Sequence, residues 1–94
     1  MKHYIIVKWN EKVTDKNAFA ERAEKIYEKS LSVPGVDGYK IIRSNSEREN
    51  RFDLMIEMTL SEEGLKNYDT SAMHKEWKEE MSGFFEAKAI FDCD

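Results

Sequence analysis

A tyrosine and a histidine six positions apart, Tyr68 and His74, are the side chains in this sequence best suited to chemistry. On one unbroken helix, six positions would turn the two side chains about 240° apart, so they could not meet. Between them lie Thr70 and Ser71, residue types that begin a helix by accepting its free backbone N–H groups. The pattern therefore predicts that Tyr68 ends one helix and that His74 lies in the first turn of the next. This arrangement brings a phenol and an imidazole to one cleft.

Such a pair can transfer protons without a metal or cofactor. The positive end of a helix dipole disfavours imidazolium, so we expect His74 to act as a neutral base. Tyr68 could donate its phenolic hydrogen to the oxyanion that forms when a carbon next to a carbonyl is deprotonated. In the alternative interpretation, the Tyr68 ring simply packs at a helix end and His74 lies at a surface edge. His3 could orient the substrate or Tyr68, or be an ordinary strand-end histidine.

The elements that must position these residues follow from hydrophobic periodicity and from capping and turn residues. The patterns predict strands over 3–9, 39–43, 52–60 and 85–92, and helices over 16–32, 61–68 and 71–82. Alternation is clearest in the third strand, and the polar segment 44–51 is predicted to be the loop before it. This order is the α+β, ferredoxin-like βαββαβ plan, with a four-stranded antiparallel sheet and both helical layers on one face.

The other sheet face is then predicted to be uncovered. The first strand would present there either Tyr4 and Ile6 or the alternate set that begins with Ile5. An exposed apolar face of this kind usually marks an interface, so we expect a homodimer that joins through the sheet face. In the last strand, alternation predicts one buried set: Phe85, Ala87, Ala89 and Phe91.

Composition excludes several classes of function. The 94 residues form one domain, and the net charge of −4 argues against binding to nucleic acid or to anionic membranes. The run Tyr4–Val7 is too short to span a bilayer. Cys93 is the only cysteine, so no disulfide forms within the chain, and we expect a cytoplasmic protein. Two isolated histidines and four scattered glycines predict neither a metal site nor a nucleotide site, and we expect no cofactor.

Several short motifs, in this order and spacing, carry a family resemblance over nearly the whole chain. They are Lys2-His3 before an apolar strand, Val33-Pro34-Gly35-Val36, Phe52-Asp53-Leu54, Ile56-Glu57-Met58-Thr59-Leu60, Tyr68 with His74, and Ile90-Phe91-Asp92. Together they resemble the stress-responsive α/β-barrel family, also called Dabb or dimeric α+β barrel. The resemblance implies a homodimer whose two sheets close into a barrel, with a pocket between sheet and helices in each subunit.

The resemblance also implies which residues line that pocket. In one plant member, a polyketide cyclase, a tyrosine and a histidine matching Tyr68 and His74 are the proposed acid–base pair, and His3 matches a further pocket histidine. Two other pocket histidines of that enzyme are matched by Leu54 and Ser71. The expected lining comprises His3, Ile5, Leu54, Ile56, Tyr68 and His74. Alignment turns Lys88 toward the pocket, whereas alternation does not, so its face stays open.

Three functions remain in contention. The first is cofactor-free acid–base chemistry, of the cyclase or isomerase kind, on a small carbonyl compound. The second is ligand binding or a stress response without turnover, in the same pocket. The third is a cofactor-independent monooxygenase, because antibiotic-biosynthesis monooxygenases share the dimeric ferredoxin-like plan. The substrate is not predicted by any of these patterns.

Overall fold

A four-stranded antiparallel sheet with helices packed on one face is the frame of the protein, and the computed structural model describes all of residues 1–94. The strands are β1 (Lys2–Trp9), β2 (Val36–Arg43), β3 (Leu54–Leu60) and β4 (Phe85–Cys93). The helices are α1 (Lys16–Glu28), α2 (Glu62–Asp69) and α3 (Ala72–Met81), with short 3₁₀ turns at Lys29–Ser32 and Ser82–Phe84. The sheet order is β2-β3-β1-β4, so the predicted ferredoxin-like fold is confirmed.

Alternation along β1 and β3 separates the two faces of the sheet. The helix-side face of β1 consists of four buried residues, His3, Ile5, Val7 and Trp9. The outer face carries Tyr4 and Ile6, which are half-buried. In β3 the helix-side residues are Leu54, Ile56, Met58 and Leu60, all at most 3% exposed. The period-two pattern predicted for β3 is therefore confirmed from Leu54 onward, whereas Phe52 precedes the strand and is exposed.

The break between α2 and α3 lies where the sequence predicts it. Ser71 is the N-cap of α3, and its hydroxyl accepts a hydrogen bond from the His74 backbone N–H at 3.2 Å. Thr70 is the residue that ends α2. Tyr68 consequently lies in the last turn of α2 and His74 in the first turn of α3, as expected.

Two glycines hold α2 against the turn that follows the first helical segment. Gly35 has a φ of 91°, which an L-residue with a side chain rarely adopts. A Cβ on Gly35 would lie 2.5 Å from the Gly64 Cα, so neither position has room for a side chain. The Gly35 carbonyl also accepts a hydrogen bond from the Ser61 N–H at 3.0 Å. This close approach fixes the start of the helix that carries Tyr68.

The first helical segment and the second strand differ from their predicted bounds. α1 ends at Glu28 rather than continuing to Ser32, and a 3₁₀ turn follows, which leaves Leu31 53% exposed. The Ser30 and Ser32 hydroxyls each donate to a carbonyl three residues back, and such local bonds compete with regular α-helix. β2 begins at Val36, three residues before the predicted start, because Val36 already pairs with Leu60.

The predicted buried set of β4 is right for Phe85 and wrong for its other three members. The pairing of β1 with β4 shifts between Lys8 and Trp9, so that Trp9 lies opposite Phe85 while Lys8 lies opposite Ala87. One extra residue in β4 at this bulge reverses the alternation. Phe85 therefore packs on the helix side, whereas Ala87, Ala89 and Phe91 lie on the outer face. Lys88, Ile90 and Asp92 take the helix-side positions, which decides the face of Lys88.

An aromatic cluster closes the end of the helix-side face where β1 finishes. It consists of Trp9, Phe19, Phe84 and Phe85, with ring centroids 4.8–5.8 Å apart between contacting members. The buried stripe of α3 lies beside it and consists of Met73, Trp77 and Met81, each at most 5% exposed. No helix in the structure combines the length and apolar character needed to cross a bilayer.

Candidate functional site

A hollow of about 330 Å³, the Tyr68 cavity, lies between the α2–α3 break and the β1–β4 side of the sheet. Its polar lining consists of His3, Tyr68, Asp69, His74, Lys88 and Asp92. Its apolar lining consists of Ile5, Leu65, Trp77 and Ile90. Four residues expected in the pocket from the sequence, His3, Ile5, Tyr68 and His74, thus meet in one cavity.

Leu54 and Ile56, also expected in the pocket, do not line the Tyr68 cavity. Both are on β3, on the opposite side of β1 from β4, while the cavity opens toward β4. Ile56 is fully buried in the core, and Leu54 borders a separate hollow near the start of α1. Ser71, which matches another pocket histidine of the cyclase, acts as the N-cap of α3.

The Tyr68 and His74 rings are in contact, with centroids 4.6 Å apart. His74 Nδ1 lies 3.0 Å from the Asp69 carbonyl oxygen. Because a carbonyl oxygen only accepts hydrogen bonds, this contact assigns the hydrogen to Nδ1. The other ring nitrogen, Nε2, then carries a free lone pair. His74 is half-buried, so this nitrogen can act as a proton acceptor next to the tyrosine.

His3 contacts the other side of Tyr68. The two ring centroids are 5.6 Å apart in an edge-on arrangement, and His3 is only 6% exposed. His3 Nδ1 lies 2.5 Å from a carboxylate oxygen of Asp92, directly across the β1–β4 pairing. A carboxylate acceptor favours the hydrogen on Nδ1 and orients the ring, as in carboxylate–histidine pairs at other sites. From the sequence, Asp92 was identified only as part of a family motif, and no hydrogen-bond partner was predicted for it.

Tyr68 has a partner that the sequence did not identify, because its hydroxyl lies 2.5 Å from the hydroxyl of Tyr27 on α1. Both side chains are at most 1% exposed. Burial raises the pKa of Tyr68 to about 12, although the hydrogen bond with Tyr27 lowers it. Burial, together with the neighbouring Tyr68, raises the pKa of Tyr27 well above 10. Both phenols therefore keep their hydrogens at neutral pH, and when Tyr27 donates, the Tyr68 hydrogen is left for the cavity.

A second hollow, of about 560 Å³, lies between the start of α1 and the loop before β3. Its most enclosed charge is Asp53, whose carboxylate accepts the Trp9 backbone N–H at 2.8 Å and pairs with Lys16 at 2.9 Å. Asp53 is therefore satisfied by the fold itself. No group of three or more His, Cys, Asp or Glu side chains in the structure is arranged to hold a metal ion.

Solved structures share this fold over almost the whole chain. A dimeric ferredoxin-like protein of unknown function from Thermobifida fusca has a TM-score of 0.79 at 16% identity, covering 96% of this chain and 85% of its own. A Dabb family protein with a ferredoxin-like fold from Mesorhizobium loti has a TM-score of 0.74 at 10% identity, covering 99% and 93%. The chain has the ferredoxin-like fold of these neighbours.

A third ferredoxin-fold neighbour adds a chemical description. It is a protein of unknown function from Bacteroides thetaiotaomicron, described as a possible oxidoreductase, with a TM-score of 0.75 at 21% identity over 98% of this chain and 95% of its own. No family model and no curated protein matches the sequence. The likeness at these identities is one of fold.

The outer sheet face of this ferredoxin-like chain carries exposed apolar side chains on both of its edge strands, β4 and β2. Phe91 is 59% exposed and Ile42 is 42% exposed, and they lie on the same face as the half-buried Ile6 and Met55. The Tyr4 ring stands beside Phe91, with centroids 6.4 Å apart. Large apolar side chains grouped on an open sheet face are typical of a surface that another protein covers.

The same face also carries a charge cluster, in the cross-strand row that contains Tyr4 and Phe91. Glu57 on β3 lies between Lys2 and Lys40, with nitrogen–oxygen distances of 3.9 and 4.0 Å. The Tyr4 hydroxyl donates to the same carboxylate at 3.0 Å, and this hydrogen bond, with a smaller effect of burial, raises the pKa of Tyr4. The outer face thus combines exposed apolar side chains with a charge cluster.

Proposed function

We propose that this protein catalyses cofactor-free acid–base chemistry on a small carbonyl compound in the Tyr68 cavity. The observation that supports it best is that Tyr68, His74 and His3 line one cavity, with the tyrosine in contact with both imidazoles. A proton-transfer site needs an acid and a base within reach of the same substrate atom pair, and this lining supplies both. A volume of about 330 Å³ suits a small ligand.

In this proposal, Nε2 of His74 removes the proton from the carbon next to the substrate carbonyl. The carbonyl oxygen then gains negative charge, and the Tyr68 hydroxyl donates a hydrogen bond to it. When Tyr27 donates to the Tyr68 oxygen, the phenol offers its hydrogen to the substrate rather than to the core. His3, oriented by Asp92, positions the substrate from the other side of Tyr68.

Exchange of substrate protons for deuterium tests the proposal without knowledge of the product. Small methyl ketones are incubated with the protein in D₂O, and the loss of the proton signal next to the carbonyl is followed by NMR. The wild type should accelerate exchange, and Tyr68→Phe and His74→Gln should each slow it about 10²-fold to 10⁴-fold, the usual contribution of a positioned acid or base.

Tyr39→Phe is the matched control, because Tyr39 also donates to a carboxylate, Glu24, but does not line the cavity. This variant should exchange at the wild-type rate. Exchange at the buffer rate by the wild type over the whole ketone panel would overturn the acid–base proposal. Equal rates in wild type, Tyr68→Phe and His74→Gln would overturn the residue assignment.

Two other functions have specific support. The hydrogen bond between Tyr68 and Tyr27 is also what a purely structural tyrosine would make, which favours ligand binding without turnover. The neighbour described as a possible oxidoreductase favours a cofactor-independent monooxygenase. Oxygen consumption with phenolic substrates separates the monooxygenase from the other two, and ligand binding without proton exchange identifies the non-catalytic protein.

We also propose that the chain forms a homodimer through the outer sheet face. The exposed Phe91 and Ile42, and the neighbours described as dimeric, support this assembly. Phe91→Glu would bury a charge in the interface, so we expect it to convert a dimer to a monomer in sedimentation velocity at micromolar concentration. Leu31→Glu is the control, since Leu31 is similarly exposed but lies in the turn after α1. A wild-type monomer under the same conditions would contradict the proposal.

A cytoplasmic location completes the proposal. Cys93 is a free, half-buried thiol, and cysteines in the cytoplasm are kept reduced. Fractionation of the source cells with an antibody against the protein tests this location. Recovery outside the cytoplasmic fraction would contradict it.

A further inference from the structure

Lys88 is the one lysine or arginine among the residues that line the Tyr68 cavity. It lies opposite Val7 on the helix-side face of β4 and is exposed, which places its ammonium group at the rim of the cavity. It forms neither a hydrogen bond nor an ion pair with any residue of the chain. The chain has more acidic than basic residues, so an unpaired lysine beside the site is notable.

The two carboxylates of the lining leave the Lys88 charge uncompensated. Asp92 is paired with His3. It lies four residues after Lys88 on β4, which is about 13 Å at the usual rise of a β-strand. Asp69 lies at the end of α2, and neither of its oxygens is within 4.0 Å of the Lys88 nitrogen. The space between the two ends of the strand has an apolar floor of Ile5 and Ile90.

The Tyr68 cavity therefore has a proton-transfer end, an apolar middle and a cationic rim. We infer that its substrate carries a carboxylate, held by Lys88, several carbons away from the carbonyl that Tyr68 and His74 act on. A single ammonium group matches the single charge of a carboxylate, and the apolar middle matches the methylene groups between the two functions. The inference rests on the proposed function, and it narrows the substrate class to oxo acids.

Binding of a matched pair of probes tests the inference. The pair is 6-oxoheptanoate and the uncharged 6-oxoheptanamide, titrated into the protein at neutral pH and followed by NMR shifts or calorimetry. Wild type should bind the acid about tenfold more tightly than the amide, the ratio expected for one charge-assisted hydrogen bond at a partly enclosed site. Lys88→Met should bind both probes equally, whereas Lys88→Arg should keep the preference for the acid.

Lys78→Met is the control for general loss of positive charge, because Lys78 is exposed on α3 and does not line the cavity. It should keep the wild-type preference. No preference in the wild type, or a preference that survives in Lys88→Met, would overturn the inference.

Deuterium exchange of neutral 2-heptanone, measured alongside, separates the two proposals. Exchange of this ketone without a preference for the acid would leave the acid–base function standing and remove the role of Lys88. A Lys88-dependent preference for the acid without any exchange would keep the role of Lys88 in binding and remove the acid–base function.

Discussion

The helix-side face of the sheet is filled in different ways at its two ends, although one strand supplies both. At the end of β1, Trp9 packs into the aromatic cluster, and the space is occupied by rings. Near its start, on the same face, His3 lines the Tyr68 cavity. Alternation therefore decides which side chains point toward the helices, but not whether they meet packed atoms or a cavity.

The covering helices account for the difference. Over the closed end lies the continuous helix α3, which brings Trp77 and Met81 down onto the sheet. Over the open end the chain turns between α2 and α3, and the Tyr68 cavity lies beside this break. The same break supplies Tyr68 and His74, so the cavity and its polar lining have one structural cause.

The largest expected effect on stability comes from a substitution at the closed end, where the aromatic cluster lies. Trp9→Ala removes a side chain that is 5% exposed and in contact with Phe19 and Phe85, so it should lower the free energy of unfolding by about 3–5 kcal/mol. His74→Ala, at the open end, should lower it by about 0.5 kcal/mol or less, as for a residue away from packed core. Urea denaturation of both variants checks the contrast. Similar losses at the two ends would show that the cavity is part of the packed core.

The sequence predicted the elements of both ends but not their long-range contacts. Ser71 predicted the helix break correctly, because its capping role depends only on a residue three positions away. The alternation in β3 likewise announced its buried face. The bulge in β4 gave no local signal, because it is defined by pairing with β1, and it placed Lys88 rather than Ala87 and Ala89 on the helix side.

The candidate site was predictable to the same extent. Tyr68 and His74 are close along the chain, so the cap between them was enough to bring them together. The partner of Tyr68, Tyr27, is 41 positions away, and on α1 it matched the pattern of an ordinary core residue. The partner of His3, Asp92, is 89 positions away. Neither pairing leaves a trace in local spacing, and both need the sheet register or the helix packing.

High pH should weaken the fold through the tyrosines beside the cavity. Tyr68 has a pKa of about 12 in the folded chain against about 10 when unfolded, so between these values the folded state holds more protons. The contribution of Tyr68 to the free energy of unfolding is complete below pH 10. It falls by about 2–3 kcal/mol as the pH rises to 12. The pKa of Tyr27 is raised in the same direction. Urea denaturation at a series of pH values checks this.

The alkaline control is the double variant Tyr27→Phe/Tyr68→Phe, which should lose less stability between pH 10 and 12 than wild type. The pKa of Tyr39 is also raised to about 12. Because Tyr39 remains in both proteins, its effect on stability cancels in the comparison. An equal loss in the two proteins would mean that the buried phenols ionise as readily when folded as when unfolded.

The smallest effect concerns how strongly the two phenols depend on each other. Tyr68→Phe leaves the Tyr27 hydroxyl buried without a partner, and Tyr27→Phe does the same to Tyr68, so each should cost about 1–2 kcal/mol. The double variant removes both hydroxyls at once, and should cost less than the sum of the two by about 1 kcal/mol. If the two losses simply add, each hydroxyl has another partner, and Tyr68 already turns its hydrogen toward the cavity. A strong coupling means that each hydroxyl depends on the hydrogen bond between them, whichever of the two donates.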